Sequence, residues 1–274
     1  MEWNKNLNHY KQVRNSLFEK DGLVLHGDRI VIPKLLRPRI LEILHGAHQG
    51  CNSMLNRAKL NVWWPGMCKD IEWKRASCET CTRMAPSQPS MPPVEPDRPK
   101  YPMQKICSDT AHLGGQTYIV IVDRYTNWAS VYPADGARGL IKALRYHFVT
   151  YGAAEEISSD GGPEYVSVET QEFLKRWRVR HRVSSAYYPR SNMRAELGVK
   201  VVKRLLRENV GGDGSLDTDK VARALLGYRN TPNLELKRSP AQLLLGRNLR
   251  DHLPGTREVL AQKKEWLMVQ RKEK

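Results

Sequence analysis

The chain has 274 residues, 40% of them hydrophobic and 27% charged, which excludes a disordered chain and leaves room for one sizeable core plus a smaller module. A formal net charge of +16 points to a polyanionic partner, and 19 Lys and Arg against 10 Asp and Glu fall in residues 190–274, so more than half of the surplus sits in the last third. No run of eighteen apolar residues exists and the N-terminus has no apolar signal core, so a soluble, intracellular protein with no membrane partner is expected; five cysteines without a secretory signal argue for metal ligation by some of them rather than a disulfide framework.

In chain order, residues 1–35 predict a polar helix from Leu7 to Phe18 and a hairpin, "GLVLHGDRIVIP", turning at Gly27-Asp28. Residues 36–84 predict a compact helical module. Within it His45-x2-His48 is followed, 29 residues later, by Cys78-x2-Cys81. Two histidines and two cysteines suit a tetrahedral structural Zn²⁺, which would cross-link a module of this size. Cys51 and Cys68 are close in sequence but read better as core or surface thiols, and Trp63 and Trp64 as core. Residues 85–102 hold seven prolines, from Pro86 to Pro102, too many missing donors for a helix or central strand, and predict a linker.

Beyond it, "QKICSD", "TYIVIVDRY" and "NWASVYPA" predict three strands. A helix ending at Gly152, the strand "EEISSD", a helix capped by Ser167, the strand "VRHRVSS" and a long helix through "SNMRAELGVKVVKRLLREN" follow. The pattern predicts a mixed α/β sheet with flanking helices. The helices "DTDKVARALLGYRN" and "SPAQLLLG" close this core, taken as residues 103–254, and residues 255–274 predict a basic C-terminal helix.

In this layout Asp109 ends the first strand, Asp160 follows the fourth, and Glu196 lies near the start of the long helix. Singly, Asp160 before Gly161-Gly162-Pro163 reads as a turn former, Glu196 as a first-turn helix acid and Asp109 as a strand-end cap. Together, acids on one rim of a mixed sheet repel unless cations are present, and so suggest Mg²⁺ or Mn²⁺ and two-metal phosphoryl transfer.

The 35 residues between Asp160 and Glu196, with Asp109, resemble the D,D-35-E triad of retroviral and retrotransposon integrases. "SSDGGPEY" and "SSAYYPRSNMRAE" resemble the flanks of the second and third acids in that family, and "YRNTPN…RSPAQLLLGRNLRDHLP" resembles its gypsy-type LTR retrotransposon branch. The His-His-Cys-Cys order, with "VWWPGM" between the pairs, is similar to the family's N-terminal zinc domain. The chain departs from the pattern at Gly161, where Asn is usual, at Arg190, where Gln is usual, and at Met193, where Gly is usual.

The resemblance implies an RNase H-like core that binds Mg²⁺ or Mn²⁺ through Asp109, Asp160 and Glu196, and Zn²⁺ through His45, His48, Cys78 and Cys81. It also implies 3′-end processing and strand transfer of element DNA into target DNA, nuclear action, and a homo-oligomer, a tetramer on DNA. Arg190 and Asn192, with Lys200, Lys203, Arg204 and Arg207 at three- and four-residue spacing on the long helix, are the expected DNA contacts, while Val199, Val202, Leu205 and Leu206 face inward. The integrases of this branch carry a further small domain, and the chain is expected to stop short of one. A non-catalytic, host-adopted DNA-binding relic is the alternative, and a plain RNase H-type nuclease, which leaves the zinc ligands unexplained, is a third.

Overall fold

The computed structural model describes residues 5–83, 99–183, 193–211, 214–233, 236–261 and 263; Arg190, Asn192 and most of the expected linker lie outside them. Two compact units emerge. One combines the chain up to residue 85 with that from 226 onward, and the other holds the intervening residues.

The first unit begins with a 3-10 helix, Lys5–Ser16, not the expected helix to Phe18. Phe18 instead lies in β1 (Leu17–Lys20), which turns through Asp21-Gly22, both at positive φ, into β2 (Leu23–His26). That two-residue Asp-Gly turn suits the twist of a tight hairpin. β2 turns at Gly27-Asp28, as expected, into β3 (Arg29–Val31). The helices α1 (Arg37–His45) and α2 (Cys51–Asn61) follow, then β4 (Val62–Trp63), parallel to β3, and α3 (Met67–Ala76) and α4 (Glu79–Arg83). Leu44, Met54, Val62, Trp64 and Ile71 are buried in one apolar cluster that also takes in Leu253. Trp64 is therefore core, its indole N–H on Asp70 at 2.7 Å, whereas Trp63 is half-buried and stacks on His26.

In the second unit β5 (Lys105–Leu113), β6 (Gln116–Asp123) and β7 (Ala129–Pro133) form an antiparallel meander. α5 (Gly136–Tyr151) ends, as expected, before Gly152 at φ 93°. β8 (Glu156–Ser159) joins β5 in parallel. After α6 (Pro163–Val166) and α7 (Val168–Arg176), whose N-cap Ser167 accepts from Thr170 N–H as expected, β9 (Arg180–Val183) extends the sheet. The order β7-β6-β5-β8-β9 is a mixed sheet, the RNase H-like arrangement the resemblance implied. α8 (Met193–Asn209) lies on β5, β6 and β7, with Val199, Val202, Leu205 and Leu206 buried. Met193 opens α8 in helical conformation, so the backbone there makes no demand for the glycine that is usual.

α9 (Asp219–Arg229) spans the division between the units, and α10 (Pro240–Leu245), with a full capping box at Ser239 and Gln242, belongs to the first. Packing thus departs from the expected core of residues 103–254. The reason is a buried polar knot within the first unit. The Arg57 guanidinium lies 2.6 Å from Asp251, both side chains under a tenth exposed, and also donates to the Ile43 carbonyl. Asn230 donates to Asp251 at 3.0 Å and to the Leu249 carbonyl and accepts from Leu249 N–H. A side chain at Gly227 would meet Arg57 Nη1 at 2.7 Å. Asp251→Ala strands a buried guanidinium and is expected to destabilise the protein by about 3–5 kcal/mol, read as a lowered denaturant midpoint.

The expected tail helix is seen only as α11 (Arg257–Leu260), after which Ala261 is extended; residues 264–274 lie outside the described part. Among the described residues no helix is long and apolar enough to cross a membrane.

Candidate functional site

Two sites take shape, one in each unit. In the first, His45 is the last residue of α1, and His48 follows a turn closed by its own N–H on the His45 carbonyl at 2.7 Å. His48 has φ 47°, a left-handed conformation that histidine tolerates better than most residues, and this lets so short a spacing bring two rings together. Cys78 precedes α4 and Cys81 lies in it. Cys81 Sγ is 3.4 Å from His45 Nε2 and 3.5 Å from His48 Nδ1, and Cys78 Sγ is 3.7 Å from His48 Nδ1. Bond lengths of about 2.3 Å to sulfur and 2.0–2.1 Å to nitrogen put tetrahedral S···N edges near 3.5 Å, so the four atoms fit one Zn²⁺ directly.

All four ligand atoms lie within 4.8 Å of one another. Burial, and then the neighbouring His48, lowers the His45 pKa to about 4, so the ring presents a free nitrogen at neutral pH. Cys51 and the exposed Cys68 stand outside the cluster, as expected.

In the second unit Asp109 is mid-strand, not at the end of β5 as the sequence suggested. β5 runs on to Leu113 because it pairs with β6 over its whole length, with Asp109 opposite Val120. Cys107 pairs with Ser158 across the parallel β5/β8 ladder, which places Asp160, just past the end of β8, two residues further on beside Asp109. Asp160 is exposed, and its carboxylate accepts from Gly162 N–H at 3.3 Å. Glu196 is on the backbone of α8, the helix that packs on β5 and β6. Lys203, seven residues on and so on the same helical face, puts its ammonium 2.6 Å from Asp109 Oδ2. A lysine reaches back toward the N-terminus of its own helix, toward the turn that carries Glu196. That ammonium is a cation standing at a carboxylate expected to hold a metal, so the donor set suits a hard divalent ion.

The expected basic stripe is thus not uniform. Lys200 and Arg207 are exposed, Arg204 is half-buried, and Lys203 turns onto Asp109.

Two features escaped the sequence reading. Glu164 accepts a hydrogen bond from Thr110 Oγ1, next to Asp109, and its carboxylate and that of Asp160 both come within 3.2 Å of where a side chain on Gly162 would begin. A fourth acid therefore borders the site; it lies inside the "SSDGGPEY" stretch, where only Asp160 had been weighed. The second is the link from His181, on β9, through Ser159 to Asp160; from sequence neither His181 nor Ser159 is assigned nucleophilic work, and neither is connected to that acid.

The chain matches two known protein families. The Integrase zinc binding domain family matches residues 32–87 and the Integrase core domain family residues 99–189, together more than half of the chain. Uncharacterized protein K02A2.6 of Caenorhabditis elegans is 32% identical over 88% of this chain, and the Pro-Pol polyprotein of Simian foamy virus type 3 is 28% identical over 81%. The chain spans about a fifth of the length of these relatives, 19% and 20% respectively. A chain from the simian T-cell lymphotropic virus intasome in complex with PP2A regulatory subunit B56 gamma shares the fold, with a TM-score of 0.52 at 17% identity over 77% of this chain and 74% of that one.

Proposed function

Because the chain belongs to the retroviral-type integrases, with their zinc-binding domain and their core, we propose that it is the integrase region of a gypsy-type LTR retrotransposon, catalysing 3′-end processing and strand transfer of element DNA into target DNA. The observation that carries this reading is the register of β5 with β8, which brings Asp160, just past the end of β8, level with Asp109 on β5, the strand on which the helix bearing Glu196 packs. "YRNTPN" and "RSPAQLLLGRNLRDHLP" support the gypsy branch by resemblance.

Asp109, Asp160 and Glu196 would hold the two Mg²⁺ or Mn²⁺ ions, which when bound supply activation of the attacking oxygen and stabilisation of the leaving one. The chain's own part is positioning. The parallel β5/β8 pairing that precedes both aspartates would hold the first two acids level, and α8 would supply the third. Lys203, which pairs with Asp109, would be released if that carboxylate held a metal, and its ammonium would then be available to a DNA phosphate beside exposed Lys200 and Arg207. Water would attack a phosphodiester phosphorus near the element's 3′ end and displace its 3′-oxygen as a free hydroxyl; that hydroxyl would then attack a target phosphodiester phosphorus and displace the target strand's 3′-oxygen. Neither step needs a nucleophile from the protein, so Ser159 and His181 remain outside the chemistry. A homo-oligomer on DNA, acting in the nucleus, completes the reading, with residues 36–84 as zinc domain and the proline-rich stretch as linker.

The test is strand transfer with short duplexes that end in the source element's terminal sequence, in Mg²⁺ or Mn²⁺, comparing wild type with Glu196→Gln. Activity lost in the variant is the expected result. No activity in either, with zinc and DNA binding intact, would instead favour a non-catalytic DNA-binding protein.

A further inference from the structure

Behind Asp160 runs a chain of hydrogen bonds in which every donor is dictated. The Tyr165 carbonyl can only accept, so the atom of Gln171 that lies 2.7 Å from it is the amide nitrogen. The same nitrogen lies 2.8 Å from His181 Nδ1, which must therefore be the unprotonated ring nitrogen. The neutral ring then carries its proton on Nε2, 2.8 Å from Ser159 Oγ. Ser159 accepts that proton's hydrogen bond and is left to donate its own to the Asp160 carbonyl, at 2.7 Å. Ser159 is buried at the end of β8 and His181 half-buried on β9, where Ile157 pairs with His181 and Ser159 with Val183. Burial lowers the His181 pKa, which favours the neutral form that the network requires.

We propose that His181 is a positioning residue for Asp160: as the Nε2–H imidazole it aims the Ser159 hydroxyl at the Asp160 carbonyl, fixing the turn from which the Asp160 carboxylate projects. The inference rests on the reading of Asp160 as a metal ligand. Partners one shell out from a ligand fix its orientation, and their loss typically weakens metal binding by about 10–100-fold. Backbone pairing of Ser159 with Val183 anchors the end of β8 to β9, and the Ser159 hydroxyl is the side-chain link that carries His181 on to the Asp160 carbonyl.

The measurement is calorimetric Mn²⁺ binding to the full, zinc-loaded chain without DNA, for wild type, His181→Leu, Ser159→Ala, their double variant, His181→Gln and Asp160→Asn. His181→Leu and Ser159→Ala are each expected to weaken binding about tenfold or more. Because the two side chains act in series, the double variant should lose little beyond the larger single loss. His181→Gln, with an amide N–H to offer Ser159, should recover part of it. ¹⁵N spectra of the histidine side chains should show His181 protonated on Nε2 alone.

A folded His181→Leu with wild-type Mn²⁺ affinity, losses that simply add, or a proton on Nδ1 would overturn the inference. Should His181→Leu fail to fold, Ser159→Ala and the tautomer still decide it. Asp160→Asn separates the two levels. If it binds Mn²⁺ like wild type, the reading of Asp160 as a ligand falls and takes this inference with it; if it loses Mn²⁺ while the His181 and Ser159 variants keep it, only the positioning role falls.

Discussion

Asp160→Asn is expected to lower metal-dependent strand transfer by about a thousandfold or more, while DNA affinity at fixed salt changes by no more than a few-fold. The substitution is nearly isosteric, and the Asn carbonyl oxygen can still accept from Gly162 N–H, as the carboxylate does at 3.3 Å. Lost is one negative charge from a site whose cations would stabilise developing charge, a contribution of several kcal/mol, and about 4 kcal/mol is a thousandfold in rate. DNA affinity should survive because it comes from Lys and Arg contacts to phosphate, and the Lys203 ammonium is held by Asp109, not Asp160. Gel analysis of strand-transfer products alongside salt-controlled DNA binding would check both halves. An Asp160→Asn protein with undiminished metal-dependent transfer would remove Asp160 from the site.

That expectation depends on placing two aspartates together, and the sequence allowed this only in part. The turn glycines after Asp160 and the short "EEISSD" segment that leads into it marked a strand end correctly. Asp109 was harder. The polar stretch "SDTAHL" lacks the apolar run of "TYIVIV", so local pattern closed the first strand early. In the folded chain those residues are held by pairing with β6, from Ile106 opposite Asp123 to Leu113 opposite Gln116, around Gly114-Gly115. A strand's end is set by its partner, though the Gly-Gly pair was a hairpin signal open to use. The Asp21-Gly22 turn was an equally local signal for β1 and β2.

Other features could not have been read locally. The Arg57–Asp251 pair joins residues 194 apart in sequence, and no periodicity around either marks them as partners. The chain beyond 225 therefore looked like the close of the core when it packs with the zinc-binding unit. His181 carries no motif of its own, and its link to Asp160 exists only because parallel pairing of β8 with β9 sets Ile157 opposite it and Ser159 one pleat away. The zinc ligands lay at the other extreme. Each pair is fixed by three residues of local chain, at the end of α1 and at the start of α4, so spacing alone foretold geometry.

The zinc site carries the largest expected effect on stability. Purified protein should contain one zinc per chain, and chelation, His48→Ala or Cys81→Ala should each abolish the cooperative unfolding of the first unit, while Cys68→Ser leaves zinc content and stability unchanged. Apparent zinc binding to small modules is worth about 10–16 kcal/mol at neutral pH, comparable to the whole stability of a typical domain. The apolar cluster around Leu44, Trp64 and Ile71 contributes as well, and the zinc ligands join the end of α1 directly to α4. Without the ion, Cys81 is a buried thiol against two imidazoles, and His48 at φ 47° loses the metal bond that would help offset a strain of order 1–3 kcal/mol. Elemental analysis for zinc, with circular dichroism melts of the full chain with and without chelator, would decide. An unchanged melt after complete zinc removal would show that the four residues are packed together for another reason.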